Sequence, residues 1–125
     1  MKMLWYSDAL AFINNGSAMT GMVYRHEAMG ALPIGHYSLM NLENLNVREE
    51  VSYNYDSILH VYPSKNMDYS ILSDDEKAVL DKVITKFKNY KAKEIVNYVH
   101  EEKAYTETIP GDIIPFNLAK EIREF

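Results

Sequence analysis

Cysteine is absent from the 125 residues of the sequence. Its absence excludes disulfides, thiolate zinc sites and a cysteine nucleophile, and it fits a protein of a reducing compartment. Long apolar runs are missing too, since none approaches the roughly 18 residues that indicate a membrane-spanning helix. The N-terminal segment MKMLWYSD has no apolar core of the kind found in signal peptides. We therefore expect a cytoplasmic protein without a membrane partner.

The basic excess that usually marks a domain binding nucleic acid by itself is also missing. The net charge at pH 7 is −5, so we expect no direct nucleic-acid binding by this segment and protein partners instead. Ten tyrosines are present, and they admit two interpretations. Tyrosine is favoured at protein interfaces, but it also commonly borders a core.

Signatures of catalysis and cofactor binding are scarce. The sequence contains no GxGxxG, P-loop, GxSxG or HExxH pattern. Its four histidines lie on different predicted elements without the spacing of metal ligands: His26, His36, His60 and His100. We expect no cofactor and no metal, with a histidine site assembled only in three dimensions as the less favoured alternative.

The strongest feature present is a helix signal that begins at Ser73. Ser73 and Glu76 form a capping-box pattern, in which each side chain accepts a hydrogen bond from the other residue's backbone N–H. A second helix is predicted after Tyr90 and ends near His100, which makes a helical hairpin. The first helix is expected to bury one stripe of apolar residues: Val79, Leu80, Val83, Ile84 and Phe87.

Another helix is predicted over residues 3–14, with Gly16 as its left-handed C-cap. Asp8 is unusual in this helix because apolar residues surround it in the sequence. It is interpreted either as an exposed residue on the polar side or as a buried acid that holds a turn or a partner. One face of the helix is predicted to be apolar: Trp5, Ala9, Phe12 and Ile13.

Short strands are predicted between these helices. Residues 22–26 alternate as a strand does, and Gly30 and Pro33 are expected to break the chain after it. A short helix is expected within residues 35–45. Residues 51–55 and 58–62 are predicted to form a β-hairpin.

The C-terminal part begins with Ile109–Asp112, which has the proline and glycine of a type II turn. Pro115 fits the first turn of a last helix over residues 116–124. The predicted fold class is α+β: a mainly helical single domain with a small antiparallel β-hairpin or sheet.

Six segments, in order along the chain, resemble the signatures of one family. They are Lys2–Asp8 (KLLYFAD in the family), Thr20–Tyr24 (TGxxY), Met29–Pro33 (GPVP), Leu72–Phe87 (LSEEE and a helix), His100–Tyr105 (HEExAW) and Gly111–Phe116 (GEIIPY). The ordered set resembles the Panacea domain, also called the SocA-like or phage-associated GepA-type antitoxin domain. Ala31 and Tyr105 depart from it, because proline and tryptophan are usual at those positions.

The resemblance implies a non-enzymatic, prokaryotic antitoxin that binds a cognate toxin and neutralises it directly or delivers it to a protease. The expected cytoplasmic partners are then the toxin and, if the toxin is delivered for degradation, the protease. Self-association is left open. The family normally has a helix before the first motif, and one subgroup has a helix-turn-helix region there. Residues 1–125 are therefore interpreted as a Panacea domain. One version of this interpretation makes the domain the C-terminal part of a longer helix-turn-helix regulator. The alternative function is a sensor or oligomerisation domain of such a regulator.

Binding by surface complementarity needs a few anchor residues. The predicted partner-binding residues are Trp5, Tyr6, Asp8, Tyr24, Tyr53 and Tyr55. The motif residues predicted to be mainly structural are His100, Glu101, Glu102, Tyr105 and Pro115. A less favoured hypothesis is an enzyme whose pocket brings together His100, Glu101 and Asp8.

Overall fold

The computed structural model describes residues 1–42, 45–51, 57–63 and 68–125, and these contain six helices and four strands. In chain order the elements are α1 (Lys2–Asn15), β1 (Tyr24–Glu27), β2 (Gly30–Pro33), α2 (His36–Leu39), β3 (Leu45–Val51), β4 (Ser57–Pro63), α3 (Asp74–Phe87), α4 (Ala92–His100), α5 (Lys103–Thr106) and α6 (Phe116–Ala119). The α+β class with mostly helical content is confirmed. The chain forms two units, residues 1–34 with 72–125 and residues 35–71.

Helix α1 lies at the centre of the first unit. It is buried on nearly every side from Trp5 to Ala11, because α3, α4, α6 and β2 all pack against it. Trp5 and Ala9 of the predicted apolar face are buried, but burial is not limited to that face, and Ile13, assigned to it, is 41% exposed. Gly16 ends the helix in the left-handed conformation, as predicted.

Helices α3 and α4 form the predicted hairpin. The capping box is confirmed: Glu76 N–H donates to Ser73 Oγ and Ser73 N–H donates to Glu76 Oε1, each at 3.1 Å. Val79, Val83 and Phe87 are buried. Ile84 is 48% exposed, so this part of the predicted stripe was wrong.

A small antiparallel sheet packs on α1. Strands β1 and β2 pair in register, with Tyr24 opposite Pro33 and His26 opposite Ala31. Gly30 and Pro33 were predicted to break the chain, but they are the first and last residues of the strand β2. Gly30 allows α4 to pack closely against β2, since a Cβ at this position would lie 2.9 Å from a methyl group of Val99 in α4.

The segment after α5 adds a third row to this sheet. Ile109–Asp112 forms the predicted turn, with Gly111 at φ 90° and Asp112 N–H donating to Ile109 O at 3.0 Å. Ile113 then pairs with Arg25 of β1 in antiparallel fashion. Backbone bonds on both sides fix this register: His26 N–H donates to Asp112 O, and Ile114 N–H donates to Tyr24 O, both at 2.8 Å.

The last helix is shorter than predicted. Pro115 precedes α6, and the helix ends at Ala119 instead of Glu124. Beyond it, the backbone N–H of Arg123 donates to the side chain of Glu102 at 3.1 Å. That N–H is therefore not used to continue the helix.

The second unit, residues 35–71, contains the predicted β-hairpin. Its strands pair with Val47 opposite Val61, but β3 is Leu45–Val51, so the predicted first strand began too late. Residues 52–56, with the predicted anchors Tyr53 and Tyr55, lie outside the described residues. Helix α2 is a single turn within the predicted range.

We expect Phe87→Ala to lower the free energy of unfolding by about 3–5 kcal/mol, since the substitution leaves a cavity in a packed core. Phe87 is 2% exposed, and its ring centroid lies 4.8 Å from that of Tyr6 and 5.4 Å from that of Phe125. Urea unfolding measures the change. Ile84→Ala on the same helix is the control and should change stability by less than about 0.5 kcal/mol; equal losses would contradict the packing described.

Candidate functional site

Asp8 is a buried acid that holds a turn. Its side chain is 0% exposed and accepts three hydrogen bonds. Thr20 donates twice, from its backbone N–H at 2.9 Å and from its hydroxyl at 2.5 Å, and the Tyr24 hydroxyl donates at 2.7 Å. Three donors satisfy a carboxylate that would otherwise be costly to bury. Asp8 thus fixes the segment that leads from α1 into β1. Of the two interpretations of this residue, the structure supports the buried acid that holds a turn.

The other N-terminal anchor candidates are buried as well. Trp5, Tyr6 and Tyr24 are each 0% exposed. The Trp5 ring meets the Tyr24 ring edge-on, with centroids 5.1 Å apart, and the Tyr6 ring packs on Phe87. In this conformation these side chains pack in the core beneath the surface, where a binding partner cannot contact them directly. Their part in partner binding stays a prediction.

Glu102 is the second buried acid, with 1% of its surface exposed. It accepts a hydrogen bond from the Tyr6 hydroxyl at 3.0 Å. Arg123 donates to it from the backbone N–H at 3.1 Å and from Nε at 3.4 Å. Glu102 thereby joins α1, the start of α5 and the C-terminal segment.

Arg123 completes this arrangement at the surface. Its guanidinium donates to Glu101 at 2.7 Å and to the carbonyl of Tyr98 at 2.6 Å, and it lies 3.9 Å from the centroid of the Tyr98 ring. The neighbours Glu101 and Glu102 therefore have different environments, one exposed and one buried. Sequence reasoning missed Arg123, because no local pattern marks a residue whose partners lie more than 20 positions away.

His100 and Tyr105 belong to a stack of three rings. Tyr105 lies between His26, at 3.8 Å between centroids, and His100, at 4.3 Å. The Tyr105 hydroxyl donates to the carbonyl of Glu27 at 3.1 Å, and His100 Nε2 lies 3.1 Å from the carbonyl oxygen of Ala28. The stack holds the turn between β1 and β2 against the end of α4. These contacts give the predicted structural role of the motif a physical basis.

His26 was considered from the sequence only as a metal-ligand candidate. It is 4% exposed, and its Nδ1 lies 2.8 Å from the hydroxyl oxygen of Thr108. The alternation of residues 22–26 was the signal that it faces inward. In the described part of the chain, no group of three or more histidines and acids is placed to hold a metal ion.

The pocket of the enzyme hypothesis does not form. Asp8 is sealed from solvent and bonded to Thr20 and Tyr24, whereas His100 contacts Ala28 and Tyr105. Asp8 and His100 have no contact residue in common among these partners. The two residues therefore do not share a cavity that a substrate reaches.

The described residues thus form a mainly helical α+β fold in which α1 packs on a small sheet and many aromatic rings contact each other in the core. The chain belongs to the antitoxin SocA-like, Panacea domain family, whose model matches residues 1–105. The family name supports an antitoxin-type role with a toxin partner in general, and it favours a non-enzymatic protein. The Gly111–Phe116 segment lies beyond the matched residues.

No match was found among curated proteins or among solved structures. Within the described ranges, none of the helices has the length and apolar character needed to cross a membrane.

We expect Glu102→Ala to lower the free energy of unfolding by about 1–3 kcal/mol, because the buried Tyr6 hydroxyl then has no acceptor. Glu101→Ala is the matched control. Glu101 contacts Arg123 at an exposed position, so its loss should cost no more than about 1 kcal/mol. Chemical unfolding of both variants measures the difference, and a reversed order would contradict the buried role of Glu102.

Stability should also fall at alkaline pH. Burial, and then the nearby carboxylates Glu102 and Asp8, raise the pKa of the Tyr6 and Tyr24 hydroxyls far above the usual value near 10. Their contribution is therefore complete below about pH 10 and is lost as the pH rises, since only the unfolded chain releases these protons. Above that pH, each of the two hydroxyls lowers the free energy of unfolding by about 1.4 kcal/mol per pH unit.

Urea unfolding between pH 9 and 11 measures this slope. Tyr6→Phe should remove the contribution of one proton, so the slope should fall by about 1.4 kcal/mol per pH unit above pH 10. Tyr37→Phe removes a hydroxyl of a side chain that is 76% exposed and should leave the slope unchanged. If Tyr6→Phe and Tyr37→Phe gave the same slope, the buried state of Tyr6 would be wrong.

Proposed function

We propose that this protein is the antitoxin of a toxin–antitoxin pair and that it neutralises its toxin by binding it directly. The observation that carries the proposal is the family match over residues 1–105. Under this proposal the toxin is the product of the adjacent gene, and the complex forms in the cytoplasm. No catalytic step is required of the antitoxin.

A rigid scaffold supports this mode of action. Asp8 and Glu102 lock α1 to the sheet and to the C-terminal segment through buried hydrogen bonds. A surface held in this way loses little conformational entropy on binding, so more of its contact energy appears as affinity. Within the proposal, Trp5, Tyr6, Asp8 and Tyr24 act by holding this surface. Tyr53 and Tyr55 stay predicted contact residues.

Delivery of the toxin to a protease is the second mode that the family name leaves open. The two modes differ in the fate of the toxin. Direct neutralisation leaves the amount of toxin unchanged, whereas delivery lowers it in cells that contain the protease. Self-association is compatible with either mode.

We expect co-expression of this protein with the product of the adjacent gene to restore the growth that the toxin alone prevents. The two proteins should also be recovered together through a tag on either one. Immunoblotting for the toxin, in wild-type and protease-deficient cells, separates neutralisation from delivery. No growth and no complex would contradict the antitoxin proposal and would favour the sensor or oligomerisation domain of a regulator.

A further inference from the structure

The small sheet of the first unit has a second face that points away from the core. Residues alternate between the two faces along Val23–Glu27 and Ala31–Ile34, whereas Gly30, at the start of β2, is buried against Val99 of α4. The inward side chains are buried: Tyr24, His26, Ala31, Pro33 and Ile114. The outward side chains are Val23, Arg25, Leu32, Ile34 and Ile113, and we call this set the outer sheet face; the partly buried Glu27 follows on the same side at its edge, opposite Gly30.

The outer sheet face is mostly aliphatic and open to solvent. Val23 is 45% exposed, Ile34 46% and Ile113 58%, while Leu32 is half-buried. Three rows of backbone hold these side chains side by side, with Leu32 opposite Arg25 on one side and Ile113 opposite it on the other. Ile34 N–H donates to Val23 O at 2.8 Å, which extends the face by another pair. Contiguous exposed aliphatic side chains of this kind mark interaction surfaces.

Arg25 lies at the centre of the face. The exposed guanidinium makes no hydrogen bond and no ion pair with any of the described residues. Even Glu27, two residues further along β1, does not pair with it in that part of the chain. The contrast with Arg123 is informative, because Arg123 uses its donors on Glu101, Glu102 and Tyr98.

An arginine framed by aliphatic side chains is suited to one kind of counterpart. Its planar group binds a carboxylate through two parallel hydrogen bonds. The surrounding aliphatic groups exclude water and strengthen such a pair when they are covered. The complementary surface therefore carries an aspartate or glutamate inside an apolar ring.

We propose that the outer sheet face is the surface on which this antitoxin binds its toxin, with Arg25 paired to a toxin carboxylate that apolar side chains surround. The inference rests on the proposed function. It adds the location of the interface and the chemistry of the partner surface.

A second copy of this chain fits the face less well. A two-fold contact that covers the four aliphatic side chains is centred close to Arg25 and brings two guanidinium groups together. Like charges at the centre of an interface oppose association. The net charge of −5 also makes two copies repel each other.

The test uses purified protein and the tagged product of the adjacent gene, with growth rescue and titration of binding as readouts. Arg25→Glu and Ile113→Asp should weaken binding at least about 30-fold and abolish rescue, as expected for central anchors. Arg25→Ala only shortens an exposed side chain, and it tests the same contact should a charged variant fail to fold. Urea midpoints verify that each variant folds.

Matched controls lie outside the outer sheet face. Lys93→Glu makes the same charge change as Arg25→Glu, at an exposed residue in the first turn of α4, where negative charge is favourable. Ile84→Asp introduces the same group as Ile113→Asp at an aliphatic residue of similar exposure. Both controls should bind and rescue as the unmodified chain does.

The outcomes separate the two proposals. If the unmodified chain rescues growth and folded Arg25→Ala and Ile113→Asp bind equally well, the outer sheet face is not the interface, while the antitoxin function stands. If the unmodified chain neither binds nor rescues, the antitoxin proposal is wrong and this inference falls with it. If the chain alone is a dimer in size-exclusion chromatography and Ile113→Asp makes it a monomer, the face binds a second copy and the proposal is overturned.

Discussion

The burial of two carboxylates is the constraint on which the first unit depends. Asp8 and Glu102 are almost completely removed from solvent, and such groups are tolerated only when hydrogen bonds replace the lost water. Tyrosine hydroxyls supply one of these bonds in each case, from Tyr24 to Asp8 and from Tyr6 to Glu102. Because α1 carries Tyr6 and Asp8 two positions apart, one helix determines where the sheet and the C-terminal segment attach.

Local signals allowed much of the secondary structure to be predicted. The capping box at Ser73, the end of α1 at Gly16 and the type II turn at Gly111 each depend on a few neighbouring residues, and all three are confirmed. Gly30 shows where this reasoning fails. Glycine usually weakens a strand, but here Gly30 is the first residue of β2, and its lack of a side chain leaves room for Val99 of α4. That contact joins residues about 70 positions apart and leaves no trace in the local sequence.

The candidate site was less predictable than the fold for a related reason. Asp8 was singled out because an acid among apolar residues is unusual, and its burial explains the pattern. The aromatic residues Trp5, Tyr6 and Tyr24 were predicted as partner-binding anchors and are buried in this structure, because composition does not separate an aromatic anchor from an aromatic core. Arg25 had no distinguishing sequence context. The role proposed for it depends on strand register, which places Leu32 and Ile113 beside it.

The bond between Tyr6 and Glu102 also bears on how the protein forms during synthesis. It connects positions 96 residues apart, and Arg123 joins the same network later still. A helix with apolar side chains on nearly all sides gains little stability before its packing partners exist. At roughly 5 to 20 residues per second, α1 waits on the order of 5 to 25 seconds on the ribosome until Arg123 has been made. During that interval the nascent chain exposes a helix whose side chains from Trp5 to Ala11 are buried in the folded protein.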